Sequence, residues 1–163
     1  MDPSDPHLSV RLANAPQDIV AAQRLRYRVF VEEMGASGAM VDHAAGLERD
    51  VYDPHADHLL LEDTRRPGDV VGVYRLIPDE VADSLGGYYS EAEYDLGILK
   101  ASGRRCLELG RSCLDPRYRG GAAMFQLWQG LADYVLERDV EILFGVASFP
   151  GTDITRYAEA LSY

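Results

Sequence analysis

The stretch LELGRSCLDPRYRGGAAMFQLW (Leu107–Trp128) decides how this chain folds. Its first half, extended back to Cys106, has the apolar content of a buried strand ending at Leu114, yet it carries Glu108 and Arg111. Its second half turns through Arg117-Tyr-Arg-Gly-Gly-Ala122 into a helix predicted from about Gly121 to Arg138. An apolar strand, EILFGVAS (Glu141–Ser148), follows. Strand, helix and strand in that order predict a parallel pair joined by a right-handed crossover. Regular alternation puts Glu108 and Arg111 on opposite faces of the sheet. A bulge at Gly110 returns them to one side and frees a backbone N–H for a developing oxyanion. At the strand–helix junction the first N–H groups of the helix lack internal partners, and the macrodipole makes that end electropositive. Gly120 and Gly121 let backbone approach a ligand closely, while Arg117 and Arg119 add charge, so the turn reads as a phosphate cradle. It has neither the Gly-Lys-Ser/Thr of a Walker loop nor G-x-G-x-x-G spacing.

Upstream, LSVRLA (Leu8–Ala13) alternates as a strand. Asn14 is placed to cap a helix that begins at Pro16 and runs to a stop at Gly35. Residues 35–57 form a long polar stretch, which inside a compact domain is functional or mobile. HLLLED (His58–Asp63) and VVGVYRLI (Val70–Ile77) flank a turn and predict an antiparallel hairpin. A loop with a short helix near Ser90–Leu99 precedes the strand Cys106–Leu114, and FPGTD (Phe149–Asp153) leads into a last helix. The fold class is α/β, a mixed central sheet flanked by helices, as one domain over residues 1–163. Phe125 and Trp128 fall three apart on their helix and are expected in its core.

Composition narrows the function. Sixteen basic against 27 acidic residues give a net charge of -11, which argues against a nucleic-acid binder. Arg104, Arg105, Arg111, Arg117 and Arg119 nevertheless cluster in a stretch whose acids are Glu108 and Asp115. Cys106 and Cys113 share one strand about 20 Å apart and cannot bridge, so they read as reduced thiols of a cytoplasmic protein. The opening MDPSDPHLSV lacks the basic and apolar regions of a signal peptide. His55-x-Asp57-His58 faintly resembles a metallo-β-lactamase-type motif, but His7 and His43 are too few to complete it, so no metal is expected. Neither cysteine has a base nearby in sequence to make it a nucleophile.

Arg117-x-x-Gly120-x-Ala122 after a strand resembles motif A of the GCN5-related N-acetyltransferase fold. The blocks LRYRVFVEEM, DVYDPHADHLLLED, GVYRLI, GYYSEAEYDL, LELGRSCL, RYRGGAAMFQLWQGLADY and GVASFPGTD, in that order, are similar to the ornithine N-acyltransferases that make lyso-ornithine lipid. They are more distantly similar to acyl-homoserine-lactone synthases and long-chain N-acyl amino acid synthases. The resemblance covers roughly residues 10–155 and implies transfer of a fatty acyl group, typically 3-hydroxylated, from acyl carrier protein to the α-amino group of ornithine. No metal or permanently bound cofactor is implied. The donor is an acyl-phosphopantetheine on the carrier (or acyl-CoA), held by Arg117, Arg119, Gly120, Gly121 and Ala122. Glu108 is the implied general base, directly or through water. Arg111 either orients Glu108 or binds the substrate carboxylate bidentately. Arg26, Phe30, Asp50, Asp53 and Arg75 match positions tied to substrate binding, and either aspartate could recognise a cationic amino acid. The acidic carrier is expected at the arginine cluster, and the lipid product implies transient contact with a membrane surface. Alternatives are an acyl-homoserine-lactone or other N-acyl amino acid synthase, or an inactive truncated domain acting as a binding module. The ornithine acyltransferases are longer than this chain, so the C-terminal strands of the fold are expected to be missing.

Overall fold

The structure is a computed structural model that describes residues 7–148, 153–158 and 162. A five-stranded sheet is built from β1 (Leu8–Leu12), β4 (Asp57–Asp63), β5 (Val70–Pro78), β6 (Cys106–Leu114) and β7 (Ile142–Phe144), in the spatial order β1-β4-β5-β6-β7. The first four strands pair antiparallel and β6 pairs parallel with β7, the mixed sheet expected of a hairpin followed by a strand–helix–strand unit. Helix α1 (Pro16–Arg26) covers one face, where Ala22 and Leu25 pack on Leu60, Val70, Val73 and Cys113. Helix α4 (Ala122–Glu137) covers the other, through Ala123, Leu127, Leu131 and Tyr134 against Leu59, Leu61, Leu76, Leu107 and Leu114. That helical stripe recurs every three or four residues and buries one face of α4. Phe125 and Trp128 flank it and are 42% and 61% exposed, so the expectation that they belong to the core is wrong.

The long polar stretch forms a hairpin of β2 (Val41–Asp42) and β3 (Leu47–Glu48), then a turn from Asp50 to Ala56. Helices α2 (Asp79–Leu85) and α3 (Gly97–Ala101) bracket a 3-10 turn at Tyr89–Ala92.

Other expectations need correction. Asn14 does not cap α1, because Ala15 occupies that position. The Asp18 carboxylate instead reaches back to the Asn14 N–H (2.9 Å), and it also takes two hydrogen bonds from Arg11. The first helix also changes character, continuing as a π-helical segment at Tyr27–Glu33 before Gly35 (φ 76°). The strand expected over Glu141–Ser148 is paired only at Ile142–Phe144. Phe149–Thr152 lie outside the described residues, and after them the described residues hold a 3-10 turn at Ile154–Arg156.

Candidate active site

Two local departures from regular structure open the sheet at its centre. Val73 pairs with Cys113 and Arg75 with Gly110, so β6 carries one more residue than β5 across that interval. The bulge therefore falls at Arg111–Ser112, opposite Tyr74, one position beyond the expected Gly110. Arg111 takes up the irregularity with φ 52°, a left-handed conformation that costs a non-glycine residue about 1–2 kcal/mol. The second departure is the end of the β6–β7 ladder after Glu108↔Phe144. Gly145 is required where the strands part, because a Cβ there would stand 2.3 Å from the Leu109 carbonyl oxygen. Beyond it Val146, Ala147 and Ser148 no longer pair with β6 and line a cavity of about 600 Å³ with Gly110, Arg111, Ser112, Phe30 and Met34. A deeper recess of about 30 Å³ is bounded by Arg75, Tyr89, Glu108, Gly110, Arg111 and Val146.

The bulge brings the Arg111 guanidinium to the side of Glu108, as expected, and Tyr89 joins the two. Its peptide N–H donates to Glu108 Oε2 (2.7 Å), and its phenol oxygen accepts from Arg111 Nη2 (3.0 Å). The Ser90 N–H donates to the other Glu108 oxygen (2.9 Å). Glu108 is thus buried with an N–H on each carboxylate oxygen, which leaves one lone pair on each for a water or an amine.

Behind this pair lies a charge cluster that linear reading only partly anticipates. Arg26 and Asp53 are sealed from solvent and form a two-pronged pair at 2.8 and 2.5 Å. Asp53 also accepts from Arg75 (3.0 Å) and Gln23 (2.9 Å), and Arg26 pairs with Glu48 (2.6 Å). Arg75, also buried, reaches Asp50 at 2.6 Å, and its guanidinium lies 5.6 and 5.4 Å from the ring centres of Tyr52 and Tyr89. Burial pushes the Asp53 carboxyl up, but the Arg26 hydrogen bonds and the Arg26 and Arg75 charges outweigh it and hold it well below the usual carboxylate range. His58 Nε2 contacts the Asp53 carbonyl (2.9 Å), and burial lowers the imidazole's proton affinity. The polar atoms of Arg26 and Asp53 thus face inward, so the cluster fixes the turn that presents Asp50. Asp50 Oδ2 itself accepts no hydrogen bond.

Arg111 differs from the other two arginines. It remains partly exposed, lines both cavities, and lies 3.2 Å from Glu48. Its hydrogen bonds, to Tyr89 and Met40, all leave from Nη2, so Nη1 has none among the described residues.

The junction before α4 is less open than its sequence suggests. Gly121 sits at the helix N-cap with φ 105°, and no side chain caps the first turn. Arg119, however, is bound two-pronged to Glu33 (2.6 and 2.7 Å), and Arg117 folds onto Asp115 (2.9 Å). Arg104 and Arg105 likewise meet Glu141 and Asp139. Every arginine of the cluster 104–119 therefore has a carboxylate partner. Linear reading missed Glu48, Tyr89 and His58 as parts of this site. The two-residue strand holding Glu48 is too short for periodicity, and the only signal at Tyr89 is a tyrosine pair after Gly86-Gly87. Among the described residues no group of three His, Cys, Asp or Glu side chains is arranged to hold a metal ion.

With this geometry in view, the Acetyltransferase (GNAT) domain profile matches residues 25–129, from the end of α1 into α4. The chain belongs to the GNAT acetyltransferase-domain family. Solved structures share the fold. The CoA-dependent acyl-homoserine lactone synthase BjaI aligns at TM-score 0.65 and 23% identity, covering 94% of this chain and 72% of that one. The N-acyl amino acid synthase FeeM, from uncultured soil microbes, aligns at TM-score 0.63 and 20% identity, covering 95% and 76%. At these identities the likeness is one of fold. In sequence the GNAT domain is 54% identical over 158 residues to an L-ornithine N(alpha)-acyltransferase of Rhodobacter capsulatus, covering 94% of this chain and 61% of that protein. It is 43% identical over 163 residues to the Rhizobium meliloti protein of the same name, covering 96% and 55%. The chain thus spans between 55% and 61% of the length of these two relatives.

Proposed function

We propose that this GNAT domain transfers a fatty acyl group, 3-hydroxylated in the simplest case, from acyl carrier protein to the α-amino group of L-ornithine, in lyso-ornithine lipid synthesis in the cytoplasm. The observation that carries the proposal is the opening between β6 and β7, with Glu108 and Arg111 drawn together on its wall. A thioester arm laid there meets the bulge backbone, whose N–H groups stabilise the tetrahedral oxyanion. Glu108 takes the amine proton, through a water that the 30 Å³ recess can hold, and collapse of the oxyanion breaks the C–S bond, the pantetheine thiolate leaving with that proton as the free thiol. Arg111 binds the acceptor's carboxylate with the edge that carries Nη1. Asp50, whose buried Oδ2 accepts no hydrogen bond and lies 4.0 Å from Arg111 Nη2, takes the δ-ammonium once the ligand displaces the groups that cover it. Arg26, Asp53 and Arg75 hold these groups in place, and Phe30 lines the entrance. The donor's phosphate lies at Gly120, Gly121 and Ala122, with Arg119 and Arg117 exchanging Glu33 and Asp115 for it. The Arg119–Glu33 pair is exposed on both sides, and such pairs contribute about 0–1 kcal/mol, so that exchange costs little, whereas the buried Asp115 holds Arg117 more firmly. The same reasoning lets an acidic carrier protein displace the partners of Arg104 and Arg105. The acyl chain extends toward the apolar trough of about 450 Å³ beside Trp128, Leu131 and Val135, which shares Tyr74 and Leu109 with the main cavity. The lipid product then leaves through transient contact with a membrane surface. Among the described residues no helix is long and apolar enough to cross one.

The test incubates the chain with 3-hydroxyacyl carrier protein, or with the matching acyl-CoA, and a panel of amino acids, with products read by mass spectrometry. N-acyl ornithine, lost in Glu108→Gln, is the expected result. Acylation of another amine in its place transfers the reading to a different N-acyl amino acid synthase. Donor binding without turnover identifies a binding module.

A further inference from the structure

We infer that Tyr89 is a positioning residue that aims Arg111 at the acceptor's carboxylate and so makes the site selective for free amino acids. The inference rests on the N-acyltransferase reading above and assigns a role to a residue that reading leaves unused.

Three observations converge on the phenol. First, Arg111 is held weakly for a partly buried cation. Its Nε makes no hydrogen bond, and its approaches to Glu48 (3.2 Å) and Asp50 (4.0 Å) are ion pairs. Among the described residues the Tyr89 phenol is the single oxygen that accepts a hydrogen bond from this guanidinium. Second, the same side chain supports the cation from its face, with the Arg111 guanidinium carbon 4.8 Å from the Tyr89 ring centre. The ring is itself fixed by Arg75 at 5.4 Å and by edge-to-face contact with Tyr52 at 5.9 Å. Third, the Tyr89 peptide N–H holds Glu108, so one residue sets the separation between the base and the guanidinium.

The consequence is directional. Among the described residues, Tyr89 and Met40 engage Nη2 and Glu48 lies beside Nε, which leaves Nη1 as the guanidinium nitrogen without a partner, on a residue that lines both cavities. A planar guanidinium recognises a carboxylate only when an edge is presented in the right plane. Without the phenol the side chain can rotate on the irregular backbone at φ 52°, and Nη1 loses its fixed direction. An acceptor whose carboxylate needs that edge then loses rate, whereas an acceptor without a carboxylate does not.

The experiment compares Tyr89→Phe with wild type on L-ornithine and on L-ornithinamide, which keeps both amines but lacks the carboxylate. Phenylalanine retains the ring and the peptide N–H to Glu108, so only the phenol oxygen is removed. The expected result is a fall of about 10-fold or more in kcat/KM on ornithine, as for loss of a hydrogen bond to a charged group, with ornithinamide changed less than about twofold. In an Arg111→Lys background, which keeps the charge but not the fork, Tyr89→Phe has no further effect on ornithine. An equal loss on both acceptors, or no loss on either, overturns the inference, as does an undiminished effect in Arg111→Lys. Thermal unfolding of each variant is followed in parallel, and an equal loss on both acceptors with a lowered midpoint makes Tyr89 a purely structural residue and likewise overturns the inference. Wild type that acylates ornithine and ornithinamide alike sinks the carboxylate assignment alone, whereas wild type that acylates no amine sinks the N-acyltransferase reading and this inference with it.

Discussion

Replacing Asp53 by asparagine tests whether the buried charge cluster holds the site together. Oδ1 of Asp53 accepts from Arg26 Nη1 (2.8 Å) and Arg75 Nη1 (3.0 Å). Oδ2 accepts from Arg26 Nη2 (2.5 Å), Gln23 Nε2 (2.9 Å) and the Asp50 N–H (3.3 Å). Asparagine has the same shape but one acceptor oxygen, so whichever position becomes NH2 sets a donor against at least two donors. Each hydrogen bond to a charged group contributes about 1.5–3 kcal/mol, and breaking a buried ion pair costs about 3–5 kcal/mol. We therefore expect Asp53→Asn to destabilise the fold by about 3–5 kcal/mol. With a urea dependence of about 2 kcal/mol per molar, the midpoint falls by about 2 M. Urea unfolding followed by far-UV circular dichroism measures this shift. A change below about 0.5 M would refute the claim that the cluster is a structural lock. The pH dependence provides a second arm. The Asp53 carboxyl sits below its unfolded value, so its stabilisation is present above about pH 4 and is lost as the pH falls. The asparagine variant should lack that part of the acid sensitivity.

Three further outcomes follow from other parts of the molecule. His58 is kept neutral by burial, so stability should fall as the pH drops below about 6.5, where the unfolded chain gains a proton that the folded one resists, and His58→Phe should flatten that slope in urea titrations between pH 7 and 5. Gly145→Ala drives a methyl into the Leu109 carbonyl. It should cost about 1–3 kcal/mol and disturb the parting of the strands, which a denaturation curve and the KM for the thioester donor both register. Burial raises both thiols, that of Cys113 to about 12, so iodoacetamide at pH 8 should leave the folded protein unmodified and label it only after denaturation.

The sequence by itself determined most of the elements and two of their pairings, the β4–β5 hairpin and the parallel β6–β7 pair. Patterns of two and of three to four residues are local properties of the chain, and they place β1, β4, β5, β6, α4 and the start of α1 within a residue or two of where they lie. The strand–helix–strand order then leaves one handedness for the β6–β7 crossover. Charge inside β6 likewise signalled that Glu108 and Arg111 had a role, because a buried strand does not carry them without partners. Tertiary structure decided everything that depends on who those partners are. The bulge moved to Arg111–Ser112 because the register against β5, not the glycine, sets where the extra residue falls. β7 shortened to three residues because its pairing ends where the backbone of β6 diverges. Trp128 left the core because its helix turns another stripe toward the sheet. The arginines of residues 104–119, read as a positive patch, each found a carboxylate from a distant or adjacent element, Arg119 meeting Glu33 across 86 positions. Tyr89 became part of the site only through the fold, since no spacing along the chain joins it to both Glu108 and Arg111. Ion pairs and cavities are set by distances in space, and a one-dimensional pattern holds no information about which side chains the closing sheet will bring face to face.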